Sequence, residues 1–297
     1  MKPQDSIQPS FVASGCRPRL VVLGLGDRPR VVAEANRLRP KLEELTDVVV
    51  WDMEFTAPLA DVDADLAVVF GGDGSILRAA HQMGAHQIPV IGVNLGKLGF
   101  LADLSPDELL DVLPTLCRGS FRVIEHLMLA CCLEHSGGAV CEDLALNEVA
   151  VLAGPPFEML QVHLYVDAEL VTTYSCDGLI VSTPVGSTAH SLSAGGPILR
   201  KDLQALVISP ISPHTLTNRP VVESADRTFE IALPAPQSEA TVVIDGRVLS
   251  KIGPGDRLHV RKAAPRFKLV EAPGHGYYRT LREKLGWGGS LHGSSSQ

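Results

Sequence analysis

Cysteine pairs at metal-ligand spacing are missing from this chain. Its six cysteines (Cys16, Cys117, Cys131, Cys132, Cys141 and Cys176) include no CxxC and lie mostly in apolar stretches, so they read as buried free thiols rather than zinc ligands or disulfides. Neither GxSxG nor HExxH occurs, which removes the usual support for a serine hydrolase or a zinc protease. Gly96-Lys97 is followed by Leu98, so there is no P-loop, and Gly24-x-Gly26 fails as a dinucleotide fingerprint because Pro29 stands where the third glycine belongs. No apolar run reaches bilayer-spanning length and the polar N-terminus has no apolar core of a signal peptide; the expectation is a cytosolic protein with no membrane partner. Positive charge is short as well. With 26 Lys and Arg against 34 Asp and Glu, a net charge of -8 argues against a nucleic-acid partner.

At 297 residues, 45% hydrophobic and 20% charged, the chain fits two globular domains. Residues 1–17 read as a disordered leader and 288–297 as a flexible tail. Over 18–124, strands at Arg19 to Gly24, Val48 to Trp51, Leu66 to Phe70 and Ile88 to Asn94 alternate with helical stretches, including Val31 to Leu45 with a kink or break at Pro40 and Pro106 to Arg118. That alternation predicts an α/β domain with a Rossmann-like parallel sheet, joined by an amphipathic C-terminal helix over 276–287. From 125 to 275 strand-like runs follow one another without long helices: Met128 to Leu133, Leu144 to Leu152, Met159 to Val166, Gly178 to Val181, Leu206 to Ser209, Thr228 to Leu233, Ala240 to Ile244 and Arg257 to Val260. With turn chemistry at Gly137-Gly138 and Asp245-Gly246, this half is expected to be an all-β domain of two packed sheets.

The chain is organised around Gly71-Gly72-Asp73-Gly74-Ser75, set between a buried strand and a helix start. Gly71, Gly72 and Gly74 let backbone amides approach a polyphosphate closely. Asp73 would repel phosphate, unless it takes the proton of an attacking hydroxyl or helps hold a metal shared with the phosphates. An ordinary glycine turn with a capping Asp or Ser is the alternative. Leu146-Asn147-Glu148 puts two polar side chains inside an apolar run, facing either solvent or a ligand; Asn and Glu together suit a ribose diol or an adenine edge. From Asp177 to Pro197 the chain packs Ser, Thr and Gly between apolar segments, and a polar ligand lying in a groove would satisfy those hydroxyls. His214, between prolines, reads either as an acid or base or as a histidine bonded to its own loop. Arg247 sits at a hairpin tip and could reach a phosphate.

Taken together these pieces resemble the NAD kinase family, in order and nearly in spacing: Gly71 to Ser75, Asn94-Leu95-Gly96 through Gly99-Phe100-Leu101, Asn147-Glu148, Asp177-Gly178, Thr183-Pro184 with Gly186-Ser187-Thr188-Ala189, Ser193 to Ile198, Pro213-His214 and Arg219-Pro220. The resemblance covers roughly residues 19 to 287. It implies transfer of the terminal phosphoryl group of ATP or polyphosphate to the 2′-hydroxyl of the adenosine ribose of NAD, giving NADP, with Mg2+ on the donor phosphates and no protein-made metal site. Asp73 is then the general base and Arg78 lies near the pyrophosphate. Asn147 and Glu148 hold hydroxyls and a base edge, and Asp177, Thr188, Ala189, His190, Ser191, Leu192 and Ser193 line the NAD groove, with Arg247 close by. A homodimer or homotetramer is also implied. The chain departs from the family at Val185, His190, His126 and Arg247, where Thr or Ser, Tyr, Arg and a neutral polar residue are usual. A related GGDG-type lipid or sugar kinase and a non-catalytic NAD-binding sensor are the competing readings.

Overall fold

A computed structural model describes residues 17–96, 99–155, 158–215, 217–235, 239–271 and 277–286. Nearly all of the expected leader and the whole of the expected tail lie outside the described residues. Two compact units divide the chain, one formed by residues 1–124 and 268–297 and the other by residues 125–267.

In the first unit β1 (Arg19–Gly24), α1 (Pro29–Leu45), β2 (Asp47–Asp52), β3 (Leu66–Phe70), α2 (Asp73–Met83), β4 (Val90–Val93) and α3 (Pro106–Cys117) follow in sequence. The strands pair in parallel in the order β2-β1-β3-β4, so each return must cross over through a helix or loop. All five residues of β3 are buried, as expected of a strand in the middle of a covered parallel sheet. Val31, Ala35, Leu38 and Leu42 of α1 recur at helical spacing and pack with Leu20, Val22, Phe70 and Ile91. The expected break at Pro40 is absent: α1 runs through it, with Pro29 in its first turn. A capping box fixes the start of α3, Ser105 accepting from the Glu108 amide while the Glu108 carboxylate accepts from the Ser105 amide.

The second unit is built from β5 (Arg122–Glu134), β6 (Val140–Ala145), β7 (Glu148–Ala153), β8 (Leu160–Val166), β9 (Glu169–Cys176), β10 (Gly178–Ser182), a 3-10 turn at Gly186–Thr188, α4 (His190–Ser193), β11 (Ala205–Ile211), β12 (Val221–Ser224), β13 (Phe229–Ala232), β14 (Ala240–Ile244), β15 (Arg247–Ile252) and β16 (Arg257–Glu271). One antiparallel sheet has the order β12-β11-β10-β7-β14-β15; on the other side β16, β13, β8 and β9 pair in turn, with the β5–β6 hairpin joined through β16. Leu129, Leu133, Val149, Val151, Val162, Leu164, Val181, Phe229, Val242 and Leu258 meet in its core. From Lys268 onward β16 belongs to the first unit, where Leu269 pairs in parallel with Val90. The first unit closes with α5 (Tyr277–Leu285), whose Lys284 ammonium lies 5.4 Å from the Phe100 ring.

Two departures from the sequence pattern bear on the site. The apolar run from Leu144 to Leu152 is two strands broken at Leu146-Asn147, and β9, β12 and β15 are strands that no clear alternation marked.

Candidate active site

Asp73 is the first residue of α2, with Gly72 as the N-cap. Its carboxylate is held by three backbone amides from a loop far along the chain: Oδ2 accepts from Phe100 N–H at 2.8 Å, and Oδ1 from Leu101 at 2.9 Å and Ala102 at 3.1 Å. Each carboxylate oxygen offers two in-plane lone pairs. Oδ1 is filled, and Oδ2 keeps one lone pair for an incoming donor such as a sugar hydroxyl. Gly99 makes this approach possible, because a Cβ there would stand 2.2 Å from Asp73 Oδ1 and 2.8 Å from the Ala102 carbonyl oxygen.

The three glycines of the turn differ in role. Gly71 has φ +145 and is buried, and its N–H is spent on the Val93 carbonyl at 2.9 Å, which corrects the expectation that its amide meets a phosphate. A Cβ at Gly71 would lie 2.1 Å from Ser75 Oγ. Gly72 and Gly74 face open space, and the first-turn N–H groups of Asp73 and Gly74 have no carbonyl one turn back, the arrangement that favours an anion at a helix start. Arg78 is exposed four residues past Gly74, on the same face of α2.

In the second unit the expected Asn147-Glu148 pair sits where the turn after β6 enters β7, Asn147 on the turn and Glu148 the first residue of the strand, both buried. Asp245 fastens one side of this turn, its carboxylate accepting from the amides of Leu146 (2.7 Å), Asn147 (2.8 Å) and Glu148 (3.0 Å). The other side is held by the hydroxyl-rich stretch: Thr183 Oγ1 donates to the Leu146 carbonyl at 2.6 Å and accepts from Gly186 N–H at 3.0 Å, and Thr183 N–H donates to the Asn147 carbonyl at 2.8 Å. Gly186 packs so closely that a Cβ would stand 2.2 Å from the Asn147 carbonyl oxygen. Burial, and then the negative charge of Asp245, push the Glu148 carboxyl up to about 8.

The remaining expected residues separate by exposure. Asp177, His190 and Ser193 are exposed, and Thr188, Ala189 and Leu192 half-buried. Ser191 is fully buried with its hydroxyl 2.9 Å from Ser209 Oγ, a bond that ties its loop to β11. Ser187, also buried, donates to the Pro184 carbonyl and accepts from Leu199 N–H, and the half-buried Thr188 donates to the Val185 carbonyl. These hydroxyls find partners within the protein, not in a missing ligand. Arg247 Nη2 donates to Asp143 Oδ2 at 2.8 Å, tying the hairpin tip to β6. No group of three metal-ligating side chains occurs among the described residues.

Sequence reasoning missed Asp245 as more than a turn former, and missed the spatial demand at Gly99 and Gly186. Asp245 does make the turn, at φ +47 beside Gly246 at φ +80, and that local role hid the other.

Comparison with known proteins agrees with both halves of this arrangement. The ATP-NAD kinase N-terminal domain family matches residues 26–121 and the ATP-NAD kinase C-terminal domain family matches residues 146–272. An NAD kinase of Rhodopirellula baltica is 53% identical over 277 residues, 93% of this chain and 89% of that protein. One from Geobacter sulfurreducens is 43% identical over 225 residues, 76% of this chain and 79% of that protein. Among solved structures, an NAD kinase from Archaeoglobus fulgidus in complex with ATP is 29% identical with a TM-score of 0.72, covering 91% of this chain and 100% of that one. The yeast NADH kinase complexed with NADH shares the fold, with a TM-score of 0.84 at 22% identity, over 93% of this chain and 89% of that one. With relatives this similar along nearly its whole length, the chain belongs to the NAD kinase family.

Proposed function

We propose that the protein transfers the terminal phosphoryl group of ATP, or of polyphosphate, to the 2′-hydroxyl of the adenosine ribose of NAD, forming NADP. The observation that carries the mechanism is the Asp73 carboxylate, locked by three amides with one Oδ2 lone pair left over. In this reading the ribose hydroxyl donates to Oδ2, the proton moves there as the new oxygen–phosphorus bond forms and the bond from the terminal phosphorus to its bridging oxygen breaks, ADP or the shortened polyphosphate leaving, and the first-turn amides of α2 take up charge on the donor phosphates. Asn147 and Glu148 hold NAD, assisted by Asp177, Thr188, Ala189, His190, Leu192, Ser193 and the backbone at Ser191, with Arg78 near the pyrophosphate and Arg247 at the margin. Magnesium enters as part of the substrate, the Mg·ATP complex, as suits a cation that keeps its waters and binds through substrate phosphates.

A homodimer or homotetramer is the assembly we favour. Supporting it, the edge strands β9 and β12 expose Leu170, Val171, Val221 and Val222, the first three lining a groove of about 480 Å³. The cytoplasm is the compartment proposed, supported by five free thiols among the described residues; no helix among those residues is long and apolar enough to cross a membrane. Purified protein with NAD and Mg·ATP should yield NADP. Asp73→Asn should lower kcat by on the order of 10²- to 10⁴-fold, and a variant retaining more than a tenth of the wild-type rate would remove Asp73 as the base.

A further inference from the structure

Glu148 and Asp245 are two carboxyl groups on one small piece of backbone, and the structure treats them in opposite ways. Asp245 has all the support: three amides donate to it, and the Arg247 guanidinium acts on it from two residues away. Glu148 has none of that support. The residue is 8% exposed, and its Oε2 is shielded from solvent without a hydrogen-bond partner among the described residues.

When two interacting carboxyls share a site with one proton between them, the proton resides on the member whose charge is less well stabilised. Burial lifts Asp245 as well and the net shift is upward, but its three amide donors and Arg247 oppose that rise. For Glu148 burial and the neighbouring charge act in the same direction, with nothing opposing them. The elements around Glu148 bring no cation to alter this. Opposite it on β10 stands Ser182, whose hydroxyl turns to the carbonyls of Asn147 and Thr183. On β14 the neighbouring rung pairs Val149 with Ile244, and on β6 Asp143 is engaged by Arg247. Asp177, at the far end of β10, is exposed.

We propose that Glu148 meets its ligand as a neutral carboxylic acid, donating a hydrogen bond to an acceptor atom that carries no proton of its own, and that Asp245 is the positioning residue that both fastens its turn and enforces that form. The ligand atom is then a ring nitrogen of the purine base, which only the protonated acid can meet, whereas a ribose hydroxyl can bond to either form of the carboxyl. This reading rests on the NAD-binding role proposed above and refines it: the turn selects the base edge through a donor. It also makes NAD affinity fall in alkaline solution, as Glu148 loses its proton and faces the ring nitrogen lone pair with a charge.

The test has two parts, both with the full-length protein. The first is a pH titration of the Glu148 carboxyl by 13C NMR without ligand, where the wild type should show a midpoint near 8 and Asp245→Asn a midpoint lower by about a unit or more. The second is steady-state kinetics with NAD. Glu148→Gln, which keeps a donor and cannot ionise, should lack the alkaline rise in KM seen in the wild type. A wild-type midpoint below 7, an unmoved midpoint in Asp245→Asn, or an alkaline rise that persists in Glu148→Gln each overturns the proposal. Should Asp245→Asn fail to fold, the wild-type titration and Glu148→Gln decide. Absence of NADP formation by the wild type would refute the kinase reading separately, since the titration is made on the free protein.

Discussion

Adding one methyl group at Gly99 should disable the reaction while leaving the NAD-holding turn alone. The backbone at Gly99 is not in the left-handed region, so conformation does not demand glycine there; space does. A Cβ would lie 2.2 Å from Asp73 Oδ1 and 3.0 Å from its Cγ, where a relaxed carbon–oxygen contact needs a little over 3 Å, so the carboxylate must retreat by about 1 Å. The 2.8 Å approach to the Ala102 carbonyl blocks an easy escape of the loop itself. A displacement of about 1 Å at a reacting group costs roughly 100-fold in rate, equivalent to about 2.7 kcal/mol of barrier. Gly99→Ala is therefore expected to lower kcat about 100-fold with KM for NAD changed less than about twofold, and overpacking should cost a further 1 to 3 kcal/mol, roughly, of stability. NADP formation can be followed by a coupled assay, with circular dichroism to normalise for folded protein. Gly96→Ala serves as the control, because its Cβ would meet nothing closer than Asn94 Oδ1 at 3.9 Å. A Gly99→Ala enzyme that is folded and keeps more than a third of the wild-type kcat would refute the reasoning.

Gly186→Ala should act on binding instead: its Cβ would collide with the Asn147 carbonyl oxygen at 2.2 Å and Cα at 2.7 Å, atoms of the backbone that cannot swing aside. We expect KM for NAD to rise by about tenfold or more, and a change under twofold in steady-state kinetics would count against the turn as the NAD holder. His126 gives a pH prediction. Burial, with a smaller contribution from the Lys201 charge, lowers its imidazole to about 4, against a backbone hydrogen bond at Lys201 that opposes the shift. Since the fold prefers the neutral ring, its contribution is intact above pH 6.5 and is lost as pH falls from there through 4, by up to about 3 kcal/mol. Urea unfolding of wild type and His126→Leu should therefore diverge in that window, the wild type losing more stability on acidification. Parallel curves would mean that the ring is hydrated or paired in solution.

Much of the architecture was legible because burial writes itself into periodicity. The apolar run Leu66 to Phe70 and the glycine turn after it fixed the position of Asp73, and the change from alternating helices to successive strands near Phe121 separated the two halves. What escaped was whatever depends on edges and on distant partners. β9 and β12 are outer strands with polar or two-sided exposed residues, so neither alternation nor a solid apolar run marks them. The hydroxyls of Ser187 and Ser191 were read as wanting a ligand because their true partners, the Pro184 carbonyl and Ser209 Oγ, are invisible until the loop is folded. The break at Leu146-Asn147 was hidden for the same reason: the carboxylate that draws three successive amides out of strand geometry lies about a hundred residues downstream.

Carboxylates gripped by backbone amides recur in this protein, with donors near in the chain, far along it, or both, as for Asp256, which accepts from Gly253 and from Ser136. Asp52 takes the amides of Glu54, Thr56 and Ala57, two to five residues ahead, together with Gln82; that cradle shapes its own turn. The donors to Asp73 come from 27 to 29 residues away and those to Asp245 from 97 to 99, so in each case a charged group joins two segments at a place where one of them carries a site residue. This has a consequence for reading variants at Asp73, which bonds as a scaffold and is proposed to react as a base. Asp73→Asn removes the proton acceptor and also turns an amide NH2 toward a donor in the cradle, so a lost rate alone does not divide the two roles. Gly99→Ala divides them, since it keeps the carboxylate and only moves it. If kcat falls in both variants while the melting temperature falls by similar amounts, the rate follows where the carboxylate stands; if Asp73→Asn alone loses rate, its charge matters and its position does not.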